Sequence, residues 1–301
     1  MNYSGSKNML QLFKNRRIKI KKELVKLSLL EKSFELTNNL EIPLIALGTW
    51  QMTPEEAEES VEFALKNGYT HIDTARSYEN EEGVGRGIKA SGLERDEFFL
   101  TTKVLGSSKS YTEAKQDIED SLAALDTDYL DLVIIHAPRP WDLMHDHPIE
   151  NHYYEENIEV WRALEDAYET GKVKAIGVSN FEIDDLENLK KHAKVQPMLN
   201  QIKYHVGERD EELVQYCQEH DMVVEAYSPI GTGKLLDHPA IQKIAEKYKK
   251  STAQIAIRYA YQKGLIVLPK SVHKKYMIEN SEIDFNLAIE DMDYLNRLII
   301  D

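Results

Sequence analysis

Four side chains able to hold or move a proton are spaced through the first half of the chain: Asp73, Tyr78, Lys103 and His136. Each lies at or just beyond the end of a short apolar run. An aspartate and a lysine on neighbouring strands of one rim can pair, which is the usual condition for burying either of them. A lysine cation beside a phenol favours phenolate, so Lys103 is expected to lower Tyr78 from its reference value of about 10. Tyr78 could then protonate a developing alkoxide, with His136 orienting a carbonyl by hydrogen bonding. Taken singly, each of the four also reads as a structural rim residue; on consecutive strand ends they form a constellation. Lys103 leaves a second chemistry open, a Schiff base with a carbonyl substrate as in a barrel aldolase. Pairing with Asp73 argues against that.

The elements that must position these residues follow from hydropathy patterning. From Ile42 onward, eight short β-branched runs appear: Ile42–Gly48, His71–Ala75, Phe98–Val104, Leu130–His136, Val173–Ser179, Met198–Tyr204, Met222–Ser228 and Leu265–Ser271. Between them lie stretches of helical period, such as Thr53–Lys66, Tyr111–Leu125 and Asn157–Thr170. Buried runs joined by helices read as parallel β/α units, since parallel strands need a crossover. Eight units predict an α/β fold closed as a (β/α)8 TIM barrel, a single domain over residues 33–301, with its site at the C-terminal strand ends. An open doubly wound sheet is disfavoured because no Gly-x-Gly-x-x-Gly follows the first strand. Thr53-Pro54 with Glu55 and Glu56 starts a helix that Asn67-Gly68 ends. The connections 137–157 and 230–251 are long and follow strand ends, where a barrel keeps its specificity loops.

Charge is unevenly placed. Residues 1–32 carry nine Lys or Arg against Glu23 and Glu31, a net +7, so the total of −15 leaves −22 on the remainder. So acidic a body repels phosphate backbones, which excludes nucleic acid as the main partner, and an anionic ligand would need a local cluster of donors. The basic head, 1–32, lacks a secretory pattern and reads as an extension, helical or disordered. No apolar run approaches the roughly 18 residues of a membrane span. The single cysteine, Cys217, rules out an internal disulfide and suits a cytoplasmic protein.

Three other patterns invite chemistry and do not sustain it. Gly231-Thr-Gly-Lys-Leu235 has leucine where a phosphate loop needs Ser or Thr, and Ser228 where it needs glycine. His145, Asp146, His147, Glu150 and His152 could ligate a metal but sit in a polar loop, so no metal is expected. Gly83-Val-Gly-Arg-Gly87 reads as a helix start beside Glu81 and Glu82.

The motifs taken together are specific. Gly68-Tyr-Thr-His-Ile-Asp-Thr-Ala75 with Tyr78, Glu81 and Gly85 resembles the first signature of the aldo-keto reductase family. Leu100-Thr-Thr-Lys103 and Tyr129-Leu-Asp-Leu-Val-Ile-Ile-His136 resemble its lysine and histidine motifs. Ala175-Ile-Gly-Val-Ser-Asn-Phe181, Asn200-Gln201, Glu225-Ala-Tyr-Ser-Pro229 and Leu268-Pro-Lys-Ser271 follow in family order. The likeness runs from about Ser33 onward and is greatest to the bacterial keto-sugar-acid and small-aldehyde reductases, of the 2,5-diketo-D-gluconate reductase kind. It implies NADPH-dependent reduction of small carbonyl substrates by a protein that is commonly a monomer. Asp73 would hold Lys103, Lys103 would tune Tyr78, Tyr78 would protonate the oxygen and His136 would orient the substrate. Ser179, Asn180 and Gln201 would hold the nicotinamide carboxamide and Tyr227 would stack on its ring. Lys270 and Ser271 would take the adenosine 2′-phosphate, helped by the following helix N-terminus, and Glu279 and Asn280 would contact the adenine. A non-catalytic regulatory protein on the same fold is the alternative that the intact set of four disfavours.

Three departures bear on these expectations. Tyr276 stands where relatives often carry an arginine, so the phosphate loses a bidentate clamp; NADPH stays favoured through Lys270, weaker discrimination against NADH is expected, and His273 could partly compensate. Ala137 replaces a tryptophan that many relatives place after the histidine, which shrinks the pocket wall unless Trp141 comes in from the loop. The sequence stops at Asp301 soon after the last helix, from which a more open pocket is expected.

Overall fold

A computed structural model describes residues 29–144 and 148–300. Eight parallel strands stand in chain order: β3 (Leu47–Gly48), β4 (His71–Asp73), β5 (Phe99–Val104), β6 (Leu132–Ile135), β7 (Ile176–Ser179), β8 (Leu199–Lys203), β9 (Val223–Tyr227) and β10 (Ile266–Leu268). The last closes on the first through the Ile45–Val267 bridge, with Ala46 donating to the Val267 carbonyl and Val267 to the Leu44 carbonyl, both at 3.0 Å. The result is the expected (β/α)8 barrel. Residues 1–28, most of the basic head, lie outside the described residues; Leu29 is fully buried in the core. Among the described residues no helix is long and apolar enough to cross a membrane.

Seven of the eight expected runs each contain one barrel strand. The first divides. Ile42 belongs to β2 (Glu41–Pro43), which pairs antiparallel with β1 (Ser33–Glu35), and only Leu47–Gly48 joins the barrel. Pro43 has no N–H to continue a ladder. Phe34, Ile42, Leu44 and Ala46 instead pack on Phe99, Leu132, Val223 and Ile266, the first residues of four barrel strands. The hairpin therefore stops the N-terminal mouth with an apolar plug. Chemistry that needs solvent access is left the other end.

The helices begin where local chemistry dictates. Thr53 caps Pro54–Lys66: its Oγ1 accepts from Glu56 N (3.1 Å) while Glu56 Oε2 accepts from Thr53 N (3.0 Å), a reciprocal capping box. Glu81–Ser91 starts at the expected pair of glutamates. Its glycines let it lie against the preceding helix. A Cβ on Gly83 would stand 2.0 Å from the Pro54 carbonyl oxygen, and one on Gly87 2.6 Å from that of Glu58. The third helix foreseen starts earlier than expected, at Tyr154. The connection 230–251 is shorter than it reads, because Pro239–Tyr248 is itself a helix with proline in its first turn.

Candidate active site

Three adjacent strands bring the four proton-bearing residues together. Gly48 is paired with Asp73, Asp73 with Thr101, and Lys103 with Ile134, so β4, β5 and β6 end side by side. Lys103 is wholly buried and its Nζ donates to Asp73 Oδ1 (2.7 Å), the Thr74 carbonyl (2.8 Å) and the Tyr78 hydroxyl (3.3 Å). An ammonium has three hydrogens, and these partners use them all. Burial works against the cation, but Asp73 and Tyr78 outweigh it and hold Lys103 above its ordinary value. A lysine kept cationic is not an amine nucleophile, which counts against the Schiff-base chemistry.

Tyr78 departs from expectation in an instructive way. Burial pushes its phenol above the usual range; Lys103 pulls it down by less, and Asp73 raises it again. The lysine acts in the foreseen direction and is outweighed, so Tyr78 keeps its proton at neutral pH. A phenol that holds its proton is a donor, not a base. His136 is also buried, and burial followed by the Lys103 charge holds it well below its ordinary value, so the imidazole is neutral. Its Nδ1 lies 3.2 Å from Ser77 Oγ, and its ring stands 5.6 Å from that of Tyr78.

The loop after β6 is tied down from behind. Lys109 Nζ donates to the Ala137 carbonyl (3.3 Å), the Pro138 carbonyl (3.0 Å) and Asn157 Oδ1 (2.9 Å), and burial brings the amine down to about 8. Trp141 then stands edge-on to His136, ring centroids 5.3 Å apart, and is 43% exposed. The wall that Ala137 does not supply comes from Trp141, four residues later. Trp50 follows β3 and is 45% exposed. His145, Asp146 and His147 of the supposed metal loop lie outside the described residues, and among the described residues no three His, Cys, Asp or Glu converge as ligands.

The next three strands carry a continuous hydrogen-bonded set. Ser179 Oγ donates to the Gln201 carbonyl (2.8 Å) and accepts from Asn180 Nδ2 (2.9 Å), which also donates to the His136 carbonyl (3.1 Å). Asn180 sits at φ +59°, a backbone conformation asparagine tolerates better than most. Its Oδ1 accepts from the Tyr227 hydroxyl at 2.8 Å, fixing a half-buried ring at the rim. Gln201 Nε2 donates to Asp73 Oδ2 (2.9 Å) and to Glu225 Oε2 (2.8 Å). With both amide hydrogens spent, Gln201 offers the cleft an oxygen, and no donor among the described residues occupies it. The Ser179 hydroxyl and both Asn180 amide hydrogens are spent within this set, so the Gln201 oxygen is its free group, an acceptor for a ligand N–H such as that of a carboxamide.

Lys270, Ser271, Glu279 and Asn280 lie apart from this network, beyond the end of β10. A Cβ on Gly48 would come 4.0 Å from Lys270 Cβ, which puts Lys270 on the same rim as Asp73. Ser271 Oγ accepts from His273 N (3.0 Å) ahead of the Lys274–Ser281 helix. Asn280 is buried, Glu279 pairs with Lys275 at 3.5 Å, and Tyr276 is exposed with its ring edge-on to His273. The Ser271 hydroxyl also donates to the His273 carbonyl at 3.3 Å, and among the described residues no carboxylate pairs with Lys270, which leaves that cation ahead of a helix N-terminus able to take an anion. The Gly231–Gly233 turn is no phosphate loop: Thr232 Oγ1 is spent on the Gly231 carbonyl and Leu235 is buried. A cavity of about 850 Å³ between the 81–91 and 111–124 helices lies towards the opposite end, and Arg95 beside it is spent on Asp131, Thr127 and two carbonyls.

Ser77, His71 and Glu225 went unassigned on sequence grounds. Two signals were available, a charge inside one apolar run, Val-Val-Glu225-Ala-Tyr, and a histidine, His71, inside another; Ser77 carried none.

The profile of the Aldo/keto reductase family matches residues 44–300. The chain is 42% identical over 271 residues to the glyoxal reductase of Bacillus subtilis (strain 168), covering 89% of this chain and 93% of that protein. It is similar to an aldo/keto reductase structure from Brucella melitensis with a TM-score of 0.80 at 42% identity, covering 88% of this chain and 98% of that one. A Bombyx mori aldo-keto reductase in complex with NADP aligns with a TM-score of 0.79 at 34% identity, covering 88% and 92%. With its fold and motifs in the same order, the chain belongs to the aldo/keto reductase family and is an oxidoreductase that reduces carbonyl compounds.

Proposed function

We propose that this protein reduces small aldehydes and α-dicarbonyls to alcohols, with NADPH as hydride donor and Tyr78 as proton donor. The observation that carries the reading is the Lys103 ammonium bridging Asp73 and the Tyr78 hydroxyl at 2.7 and 3.3 Å. Bound NADPH supplies the hydride. The protein's part is to accept the charge that builds on the carbonyl oxygen. Tyr78 holds its proton in the resting site and gives it up as the oxygen becomes basic; Lys103, fixed by Asp73, stabilises the phenolate left behind. His136, neutral and braced by Ser77, offers a ring N–H that orients the oxygen towards Tyr78. Exposed Trp141 beside His136 and exposed Trp50 after β3 would supply apolar surface for short substrates. Glyoxal reduction by the Bacillus relative supports that substrate class.

For the cofactor, Ser179, Asn180 and Gln201 would hold the carboxamide, Tyr227 the ring face, Lys270 and Ser271 the 2′-phosphate, and Glu279 and Asn280 the adenine. The NADP complex of a relative supports NADPH, while Tyr276 leaves NADH usable. A cytoplasmic location goes with a lone thiol, Cys217, held buried. The deciding experiment follows NADPH and NADH oxidation with glyoxal, methylglyoxal and monoaldehydes, for the wild type and Tyr78→Phe. Tyr78→Phe should lower kcat by about 10²-fold or more, the lower bound for a general acid, with NADPH binding nearly unchanged. Parallel loss of binding and turnover would overturn the proton-donor role.

A further inference from the structure

We infer that Glu225 is a positioning residue, the lock that holds the Gln201 amide with its oxygen turned to the cofactor cleft. The inference rests on the reading above, in which Gln201 meets a carboxamide. Gln201 Nε2 lies between two carboxyl oxygens, Asp73 Oδ2 at 2.9 Å and Glu225 Oε2 at 2.8 Å. Either acid alone would leave one amide hydrogen unpaired in a buried site and the amide free to turn about its last bond. Together they fix both hydrogens, and with them the plane of the amide.

Glu225 does nothing else visible. It sits wholly buried on β9, inside the barrel, and its second oxygen, Oε1, has no hydrogen-bond partner. The nearest candidate is His71 Nε2 at 3.9 Å, already taken up with Thr101 Oγ1 at 2.9 Å. A buried carboxyl with one oxygen orphaned is costly to keep unless the other does something. Gln201 cannot relay protons along this line, because an amide neither gives nor takes one at these pH values. The link from Glu225 to Asp73, and so to Lys103 and Tyr78, is therefore orientational and electrostatic.

The electrostatic part gives a second signature. Burial, then the Asp73 charge, pushes the Glu225 carboxyl up to about 8, so it is neutral in the resting site at pH 7. The charged and titratable groups around it are Asp73 and His71 on β4 and Lys103 on β5, with His71 held neutral by burial. Once Glu225 ionises, a second negative charge joins Asp73, and Tyr78 holds its proton more tightly.

The test compares the wild type with Glu225→Gln and Glu225→Leu, reading NADPH dissociation by fluorescence titration, kcat and cofactor KM for glyoxal, and the alkaline pH profile. Glu225→Gln keeps an acceptor for Gln201 and removes the titration; Glu225→Leu removes both. The expected result is a dissociation constant and KM raised about three- to tenfold in Glu225→Leu, the range one hydrogen bond spans. kcat should change less, and Glu225→Gln should restore affinity to within about twofold. Above pH 8, kcat/KM should fall more steeply in the wild type than in Glu225→Gln. Equal affinity in all three proteins, or wild-type and Glu225→Gln profiles that superimpose, would overturn the inference and leave the proposed reduction intact. The second comparison decides the matter even where Glu225→Leu does not fold. Failure of the wild type to bind NADPH would overturn both.

Discussion

Removing both partners of the buried Asp73–Lys103 pair should cost less than the sum of removing each alone. At 2.7 Å, with an effective dielectric constant of 20, the attraction is about 6 kcal/mol. Much of it offsets the cost of taking two ions out of water. Breaking such a pair by losing one member typically costs about 3–5 kcal/mol, because the survivor is a buried charge without its partner. At about 2 °C per kcal/mol for a domain of this size, that lowers the melting point by about 6–10 °C. The double variant Asp73→Asn/Lys103→Met should recover about 2–3 kcal/mol relative to the sum of the single losses. The two singles should also differ in pH dependence. In Asp73→Asn the burial that opposes the Lys103 cation is no longer outweighed, so its folded value drops below that of the unfolded chain. That variant should regain stability as pH rises and the lysine discharges, whereas Lys103→Met should not. Urea unfolding followed by tryptophan fluorescence, from pH 6 to 9.5, measures all four corners. A double variant that loses the full sum of the singles would refute the claim that the pair, rather than each residue separately, is what the fold depends on.

His71 offers a sign-definite acid limb. Burial holds its folded value at about 3 against 6.5, so the stability it contributes is present above pH 6.5 and is lost as pH falls towards 3, at about 1.4 kcal/mol per unit. His71→Gln should flatten that limb in urea titrations; an unchanged slope would assign the acid sensitivity elsewhere. Gly83→Ala gains roughly 1 kcal/mol of helix propensity but puts a Cβ 2.0 Å from the Pro54 carbonyl oxygen, so a net loss of about 1–3 kcal/mol is expected in the unfolding midpoint. Lys270→Met should weaken NADPH by about tenfold or more and NADH little, as one charge-assisted contact is worth about 1.5–3 kcal/mol. Equal weakening of both would show that Lys270 does not read the phosphate.

How far the chain was legible without coordinates depends on the range of the physics involved. The barrel could be read because strand burial and helix period are local, and every strand carries its own pattern. It failed locally at Ile42, where one apolar run serves two elements; only the plug cluster beneath Phe99 and Leu132 separates them. The Asp73, Lys103, Tyr78 and His136 group could be read because residue type and strand-end position suffice to bring the four together. Trp141 at His136 could only be posed as a question, since a loop of that length reaches many places. Glu225 shows the limit more sharply. Its charge inside an apolar strand was visible, but its meaning is a 2.8 Å contact to Gln201 on the neighbouring strand, whose amide in turn reaches Asp73 across the barrel interior. Tyr78 shows why even a correct neighbour list is not enough. Lys103 was rightly named as the cation beside it, and the sign of the shift was still reversed, because burial enters with the opposite sign and depth is a property of the closed barrel. Identity settles which charges can meet; only the packed structure settles how much water they lose on meeting, and here that loss decides which of the two, acid or base, Tyr78 is.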